Sequence, residues 1–144
     1  MTFDEIPLYV AIDRVRRTIA SPGAELVSDE QRRQICQLIR AELPFDRHFD
    51  ADQMLAAWTT FRKSPNGKVG LTVEVGKLHG WKCFMHGRGK GDCSPDVQLD
   101  RIVPGSRGGE YNVENCMIMC GKHNNIRKDS SLEAYLLAPF EESA

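Results

Sequence analysis

The chain has 144 residues, 41% hydrophobic and 27% charged, with a formal net charge of −1. These are the proportions of a soluble globular protein, and the length suits one ordinary domain or a small domain with an appended one. No apolar run is long enough to cross a bilayer, and the opening MTFDEIPLYV lacks the basic-then-apolar pattern of a signal peptide, so a cytoplasmic protein without a membrane partner is expected.

The first half reads as helical. Asp4 can cap a helix running to about Ala20, with Ile6, Tyr9, Val10, Asp13 and Val15 partly following a helical stripe, and Ser21-Pro22-Gly23 stops it. Ser28 opens S-D-E-Q, a capping box, and Ile35, Leu38, Ile39 and Leu43 follow at helical spacing until Pro44. Cys36 falls inside that apolar pattern and reads as core. A third helix is expected from Ala51 to Lys63, carrying Met54, Leu55, Trp58 and Phe61, before the break Ser64-Pro65-Asn66-Gly67. Nothing here suggests chemistry. This half reads as a packing subdomain, or as a surface for a protein partner or self-association.

Val69 to Leu78 is ambiguous: Leu71, Val73 and Val75 alternate like a strand, yet a short helix also fits. From Gly80 the character changes to Gly, Cys, His and Arg with short apolar runs. The boundary therefore lies near residues 64–70, giving a helical N-terminal subdomain over 1–68 and a second domain over 69–144. Ser130-Ser131-Leu132-Glu133 is a further capping box, opening a short helix that ends before Pro139. Charge is uneven along the chain. Residues 77–128 hold nine Lys/Arg against five Asp/Glu, or +4, which marks the middle as the part suited to a polyanion.

Five cysteines, Cys36, Cys83, Cys93, Cys116 and Cys120, make an odd count. In a cytosolic chain that argues for metal ligands and buried thiols over disulfides. Cys83-Phe84-Met85-His86 and Cys120-Gly121-Lys122-His123 are two C-x-x-H units. A tight knuckle turns both ligands of such a unit inward, and four of them close a tetrahedral structural zinc shell. Cys93, in the same Gly-rich loop, is a rival for His86. Zinc would also explain how a region with few large apolar residues folds, because its binding free energy contributes directly to folding.

Between the two units runs VQLDRIVPGSRGG, residues 97–109, which sets Asp100 beside Arg101 at the mouth of an expected hairpin. With NCMIMC and CGKHNNIRK downstream and HGWKCFMHG upstream, residues 77–136 resemble the HNH nuclease family. That family has a ββα-metal fold: a strand ending in Asp-His, a Gly-Gly loop, an Asn-containing segment and a Cys-x-x-Cys-His/Asn helix start. The resemblance implies an α+β chain, a small zinc-stabilised ββα-metal domain preceded by the helical subdomain. It also implies a metal-dependent endonuclease that cuts or nicks DNA by phosphodiester hydrolysis.

On that resemblance Asp100 and Asn124 would ligate a catalytic Mg²⁺ or Mn²⁺, and Asn115 would fix the loop and orient the group that activates water. Arg107, Arg127 and Lys128 would contact phosphates. Arg101 departs from the family's His, the usual general base, and a guanidinium cannot accept that proton. Either Arg101 clamps the phosphate, or His79 or His48 supplies the base, or the site is silent. The silent case leaves a zinc-stapled DNA-binding or assembly module.

Overall fold

The computed structural model describes residues 1–19, 28–63, 67–128 and 130–138. It divides into two compact units, one of Asp4–Val73 and one of Met1–Phe3 with Glu74–Ala144. Among the described residues no helix is long and apolar enough to cross a membrane.

The first unit packs three helices, α1 (Ile6–Thr18), α2 (Asp29–Glu42) and α3 (Ala51–Lys63), on one another. Leu8, Ile12 and Val15 of α1, Ile39 of α2, and Met54 and Trp58 of α3 belong to its core, each essentially sealed from water, and Cys36 is also buried. Burial of this kind stabilises by about 1.5–3 kcal/mol per large apolar side chain. The Ser28 box forms as expected: Ser28 Oγ accepts from Gln31 N–H at 3.1 Å, and Gln31 Oε1 accepts from Ser28 N–H at 3.1 Å. Asp50 and Gln53 make the same reciprocal pair before α3. Asp4 does not cap α1. It lies within a 3₁₀ turn, Phe3–Glu5, and the helix starts after Glu5 with Pro7 in its first turn, where a missing N–H costs nothing. The expected Ser21-Pro22-Gly23 stop lies outside the described residues, as does most of the break at 64–66.

The ambiguous stretch is a helix, α4 (Lys68–His79). Thr72, Val73 and Val75 are buried while Glu74 and Lys77 face solvent, a helical pattern of burial that overrides the apparent alternation. The two units divide between Val73 and Glu74, inside this helix.

The second unit follows the order strand, strand, helix, so the chain is α+β. β1 (Gln98–Arg101) pairs antiparallel with β2 (Cys116–Met119), with Leu99 opposite Ile118 and Asp100 opposite Met117. α5 (Gly121–Arg127) and α6 (Leu132–Leu137) follow. Residues 1–3 line the approach to β1: Val97 N–H donates to Met1 O at 2.9 Å, and Phe3 N–H donates to Pro95 O at 3.0 Å. The cap of α6 is Ser131, whose hydroxyl accepts from Ala134 N–H; Ser130 instead donates through both N–H and Oγ to Arg127 O.

The loop joining the strands is closed by one side chain. Asn115 Oδ1 accepts from Val103 N–H at 2.9 Å, while its amide donates to Val103 O at 3.1 Å and to Glu110 O at 2.9 Å. Gly109 sits inside this closure, where a Cβ would run into the Val103 carbonyl and the Asn115 amide. Gly109→Ala should therefore destabilise the second unit by about 1–3 kcal/mol, as overpacking does. Thermal unfolding of the metal-loaded protein reads this, and an unchanged midpoint would show that the loop gives way without cost.

Candidate metal centre and the β1–α5 face

Cys120 is both the N-cap of α5 and the start of the second C-x-x-H unit. Its Sγ accepts from His123 N–H at 3.4 Å, which sets the thiol and the imidazole on one side of the first helical turn. The first unit behaves differently. Phe84 N–H donates to Ile118 O at 2.8 Å, tying the turn to β2. Met85 fills a fully buried position beside Met117, Met119 and Tyr135, and His86 is exposed. The chain then turns back through Gly87, Gly89 and Gly91, all at positive φ, and delivers Cys93.

The group that can hold a metal ion is Cys83, Cys93, Cys120 and His123, whose ligand atoms lie within 4.8 Å of one another. His86 is not among them: the apolar Met85 takes the inside of the turn and leaves the next side chain outside. His123 Nδ1 stands 3.1 Å from Cys120 Sγ, 3.5 Å from Cys83 Sγ and 3.6 Å from Cys93 Sγ. Its other nitrogen, Nε2, is 2.9 Å from Lys90 O. A carbonyl can only accept, so Nε2 carries the proton and Nδ1 turns a lone pair toward the three sulfurs. This is the tautomer a metal ligand needs.

The electrostatics point the same way. Burial foremost, with the neighbouring Cys83 and Cys120 acting in the same direction, pushes the Cys93 thiol up to about 12. Burial likewise raises Cys83. Burial also acts to raise Cys120, but hydrogen bonds from His123 N–H and from Ser94 outweigh it and leave this thiol lowered. Three gathered thiolates repel unless a cation sits among them. Zn–S bonds of about 2.3 Å put tetrahedral corners roughly 3.8 Å apart, within the spread found here. Residues and geometry fit Zn²⁺. Three thiolates around it leave a net negative shell, and Lys90, buried with its ammonium donating to Ala138 O, provides a cation at the adjoining turn.

A second polar array lies between β1 and α5. Gln98 and Asp100, two apart on β1, share one side of the strand; Asn124 and Arg127, three apart on α5, share one side of the helix. They meet as two rungs. Asn124 Nδ2 donates to Gln98 Oε1 at 2.7 Å, and Arg127 Nη1 donates to Asp100 Oδ2 at 2.8 Å. Asp100 is 9% exposed, and burial pushes its carboxyl up, against the opposing pull of Arg127.

Arg127 cannot be the phosphate contact expected of it. Only 2% exposed, it donates to Arg101 O at 2.8 Å, Ile102 O at 2.6 Å and Ser130 O at 3.2 Å as well as to Asp100. It binds β1 to α5. Arg107 and Lys128 are exposed, as a phosphate contact requires. Arg101, one residue beyond Asp100 on a regular strand, points to the opposite face. There it lies 4.3 Å above the Tyr111 ring and donates to Gly109 O at 3.4 Å. The side chains of Asp100 and Arg101 are thus not brought to one face. His79 ends α4 exposed, and His48 belongs to the first unit.

Sequence reasoning missed Ser94, Asp96 and Gln98. Asp96 Oδ1 accepts from Ser94 Oγ at 2.6 Å and from Gly121 N–H at 3.1 Å, and Ser94 Oγ accepts from Lys122 N–H at 2.9 Å. The Ser94 bond foremost holds the Asp96 carboxyl below the usual carboxylate range. A signal was available in C-S-P-D, since Ser and Asp beside a proline are ready capping groups, but the helix they serve begins 25 residues later.

No family model, curated protein or solved structure matches the chain. Two predictions test the site as described. Cys93→Ser should lose metal measured by elemental analysis, while His86→Ala keeps a full equivalent; the reverse pattern would restore His86 as a ligand. Arg127→Met should cost about 3–5 kcal/mol in chemical denaturation because it strands a buried carboxylate, and adding Asp100→Asn should return part of that loss.

Proposed function

We propose that the protein is a divalent-ion-dependent endonuclease of the HNH type, hydrolysing DNA phosphodiester bonds at the β1–α5 face. The observation that carries this reading is the placement of Asp100 and Asn124 on adjoining rungs of one strand–helix face. The loop between the strands is closed by Asn115, the role that the family resemblance implies for it. Carboxylate and amide oxygens suit Mg²⁺ or Mn²⁺ and not a soft metal. Such an ion, when bound, would supply Lewis-acid stabilisation to the phosphate and the departing oxygen.

The chain's own residues do the rest. Asp100 and Asn124 would hold the ion, and Arg127 keeps Asp100 at the strand end. Arg107 and Lys128 would contact phosphates, positioning the duplex without reading its sequence. Arg101 is not the base, because its guanidinium stays protonated. Free thiols gathered for a metal suit a reducing cytoplasm.

A second reading is a catalytically silent, zinc-stapled module that binds DNA or organises an assembly. One observation favours it: Asp100 is already neutralised by a buried guanidinium. Supercoiled plasmid incubated with Mg²⁺ or Mn²⁺ separates the two. Wild type should nick or linearise it. Asp100→Asn, which keeps an acceptor for Arg127, and Asn124→Ala should each slow cleavage by on the order of 10²–10³-fold with zinc content unchanged. Plasmid that stays intact yet is retarded on a gel would favour the silent module.

A further inference from the structure

The rung between Gln98 and Asn124 does not end at Gln98. Gln98 Nε2 donates to Asp96 Oδ2 at 2.9 Å, so three side chains stand in a row from the cap of α5 back to its fourth residue. The nitrogen and oxygen ends of a side-chain amide fill nearly the same space, so the network decides which way the amide turns. Here the network starts from a group with no such freedom. An ionised carboxylate can only accept. Asp96 Oδ2 therefore requires the NH₂ of Gln98, which turns Gln98 Oε1 toward Asn124; that oxygen in turn requires the NH₂ of Asn124. Asn124 Oδ1 is left pointing away from Gln98, and among the described residues it accepts no hydrogen bond.

We infer that Asp96 and Gln98 are positioning residues whose polarity fixes Asn124 with its carbonyl oxygen, not its amide nitrogen, presented at the β1–α5 face. An oxygen can ligate a hard cation and an amide NH₂ cannot. The Asp96 carboxylate is itself held rigidly. Its Oδ1 takes Ser94 Oγ and Gly121 N–H, and a Cβ at residue 121 would collide with the carboxylate, so this position has room only for glycine. The consequence for a bound ion rests on the endonuclease reading; the orientation of the two amides does not.

Asp96→Asn is the decisive variant because it changes polarity and almost nothing else. Its oxygen can stay on Ser94 and Gly121 N–H, which places its NH₂ where Oδ2 was. Gln98 must then reverse to offer its oxygen, its NH₂ now faces Asn124, and Asn124 reverses in turn, presenting NH₂ where the oxygen stood. Adding Asn124→Asp repairs the outcome, since a carboxylate accepts from the reversed Gln98 and still shows an oxygen on its other side.

The test uses the full chain with its zinc, checked by elemental analysis and circular dichroism, and two readouts. The first is proton exchange at the ¹⁵N-labelled Asn124 side-chain amide. Asp96→Asn should accelerate it about tenfold, the equivalent of one net hydrogen bond lost. The second is Mn²⁺ affinity by titration. It should fall about tenfold or more in Asp96→Asn and in Gln98→Leu, and recover in Asp96→Asn/Asn124→Asp. Unchanged amide exchange in Asp96→Asn, or weakened Mn²⁺ binding that the double variant fails to recover, would overturn the inference. If wild type binds no Mn²⁺ while Asp96→Asn still releases the Asn124 amide, the relay stands and the endonuclease reading falls.

Discussion

Three sulfurs and one imidazole nitrogen within 4.8 Å of one another pose a charge problem that has to be solved before the surrounding chain can pack. As thiols they form a poor core, and as thiolates they repel. A divalent cation resolves both difficulties, turning mutual repulsion into four bonds. The apolar cluster around them is modest, chiefly Met85, Met117, Met119 and Tyr135. Such a cluster, with a two-stranded sheet of four residues a side, is small for independent stability. A metal ion held by the cluster would supply what the core lacks, closing a stretch of 41 residues from Cys83 to His123.

Both walls of the β1–α5 face begin at ligands of this centre. On one wall, Cys93 is followed directly by Ser94 and Asp96, which cap α5, and then by Gln98 and Asp100 on β1. On the other, Cys120 caps the helix, His123 faces the sulfurs, and Asn124 and Arg127 follow on the next positions of the helix. A metal held by this group would therefore set the distance between strand and helix and the rotation of the helix about its axis. Small errors there would move Asn124 relative to Asp100. On the endonuclease reading, the remoteness of a structural ion from Asp100 and Asn124 would thus be only apparent; the two sets of side chains share a helix turn and a capping loop.

Patterns with a local physical cause were legible in the sequence. The Ser28 box and the extent of α3 could be read because the caps and the apolar spacing act within one helix. Gly108 and Gly109 could be read as turn formers because the loop they belong to is short, whereas the closing role of Asn115 was implied only by the family resemblance. What could not be read depended on which of two candidates wins a place in three dimensions. His86 and Cys93 both lie in a Gly-rich loop, and the choice falls to Met85, whose claim on the buried side of the turn leaves no room for His86 there. Asp4 lost its capping place to a tighter turn. Arg127 looked like any basic residue on a helix, and its burial follows from carbonyls at Arg101, Ile102 and Ser130 that no spacing rule brings together.

The position of Arg127 bears on how a cation could use Asp100. Of its four acceptors only one is the carboxylate; the other three are backbone carbonyls that stay in place whatever Asp100 does. Arg127 is therefore held by the fold and does not need Asp100 as its partner. A carboxylate whose partner is so anchored can turn an oxygen toward a second cation without strand and helix coming apart. The same fixed positive charge, however, opposes a bare divalent ion at close range, in a site where burial already disfavours the carboxylate's ionised form. An incoming phosphate changes the balance, because its negative charge offsets the guanidinium and the ion together. On the endonuclease reading, then, the face is built to hold its ion weakly when empty of DNA and tightly when a phosphate completes the set. This arrangement would keep Asp100 and Asn124 correctly placed while leaving the chemistry to wait for its substrate.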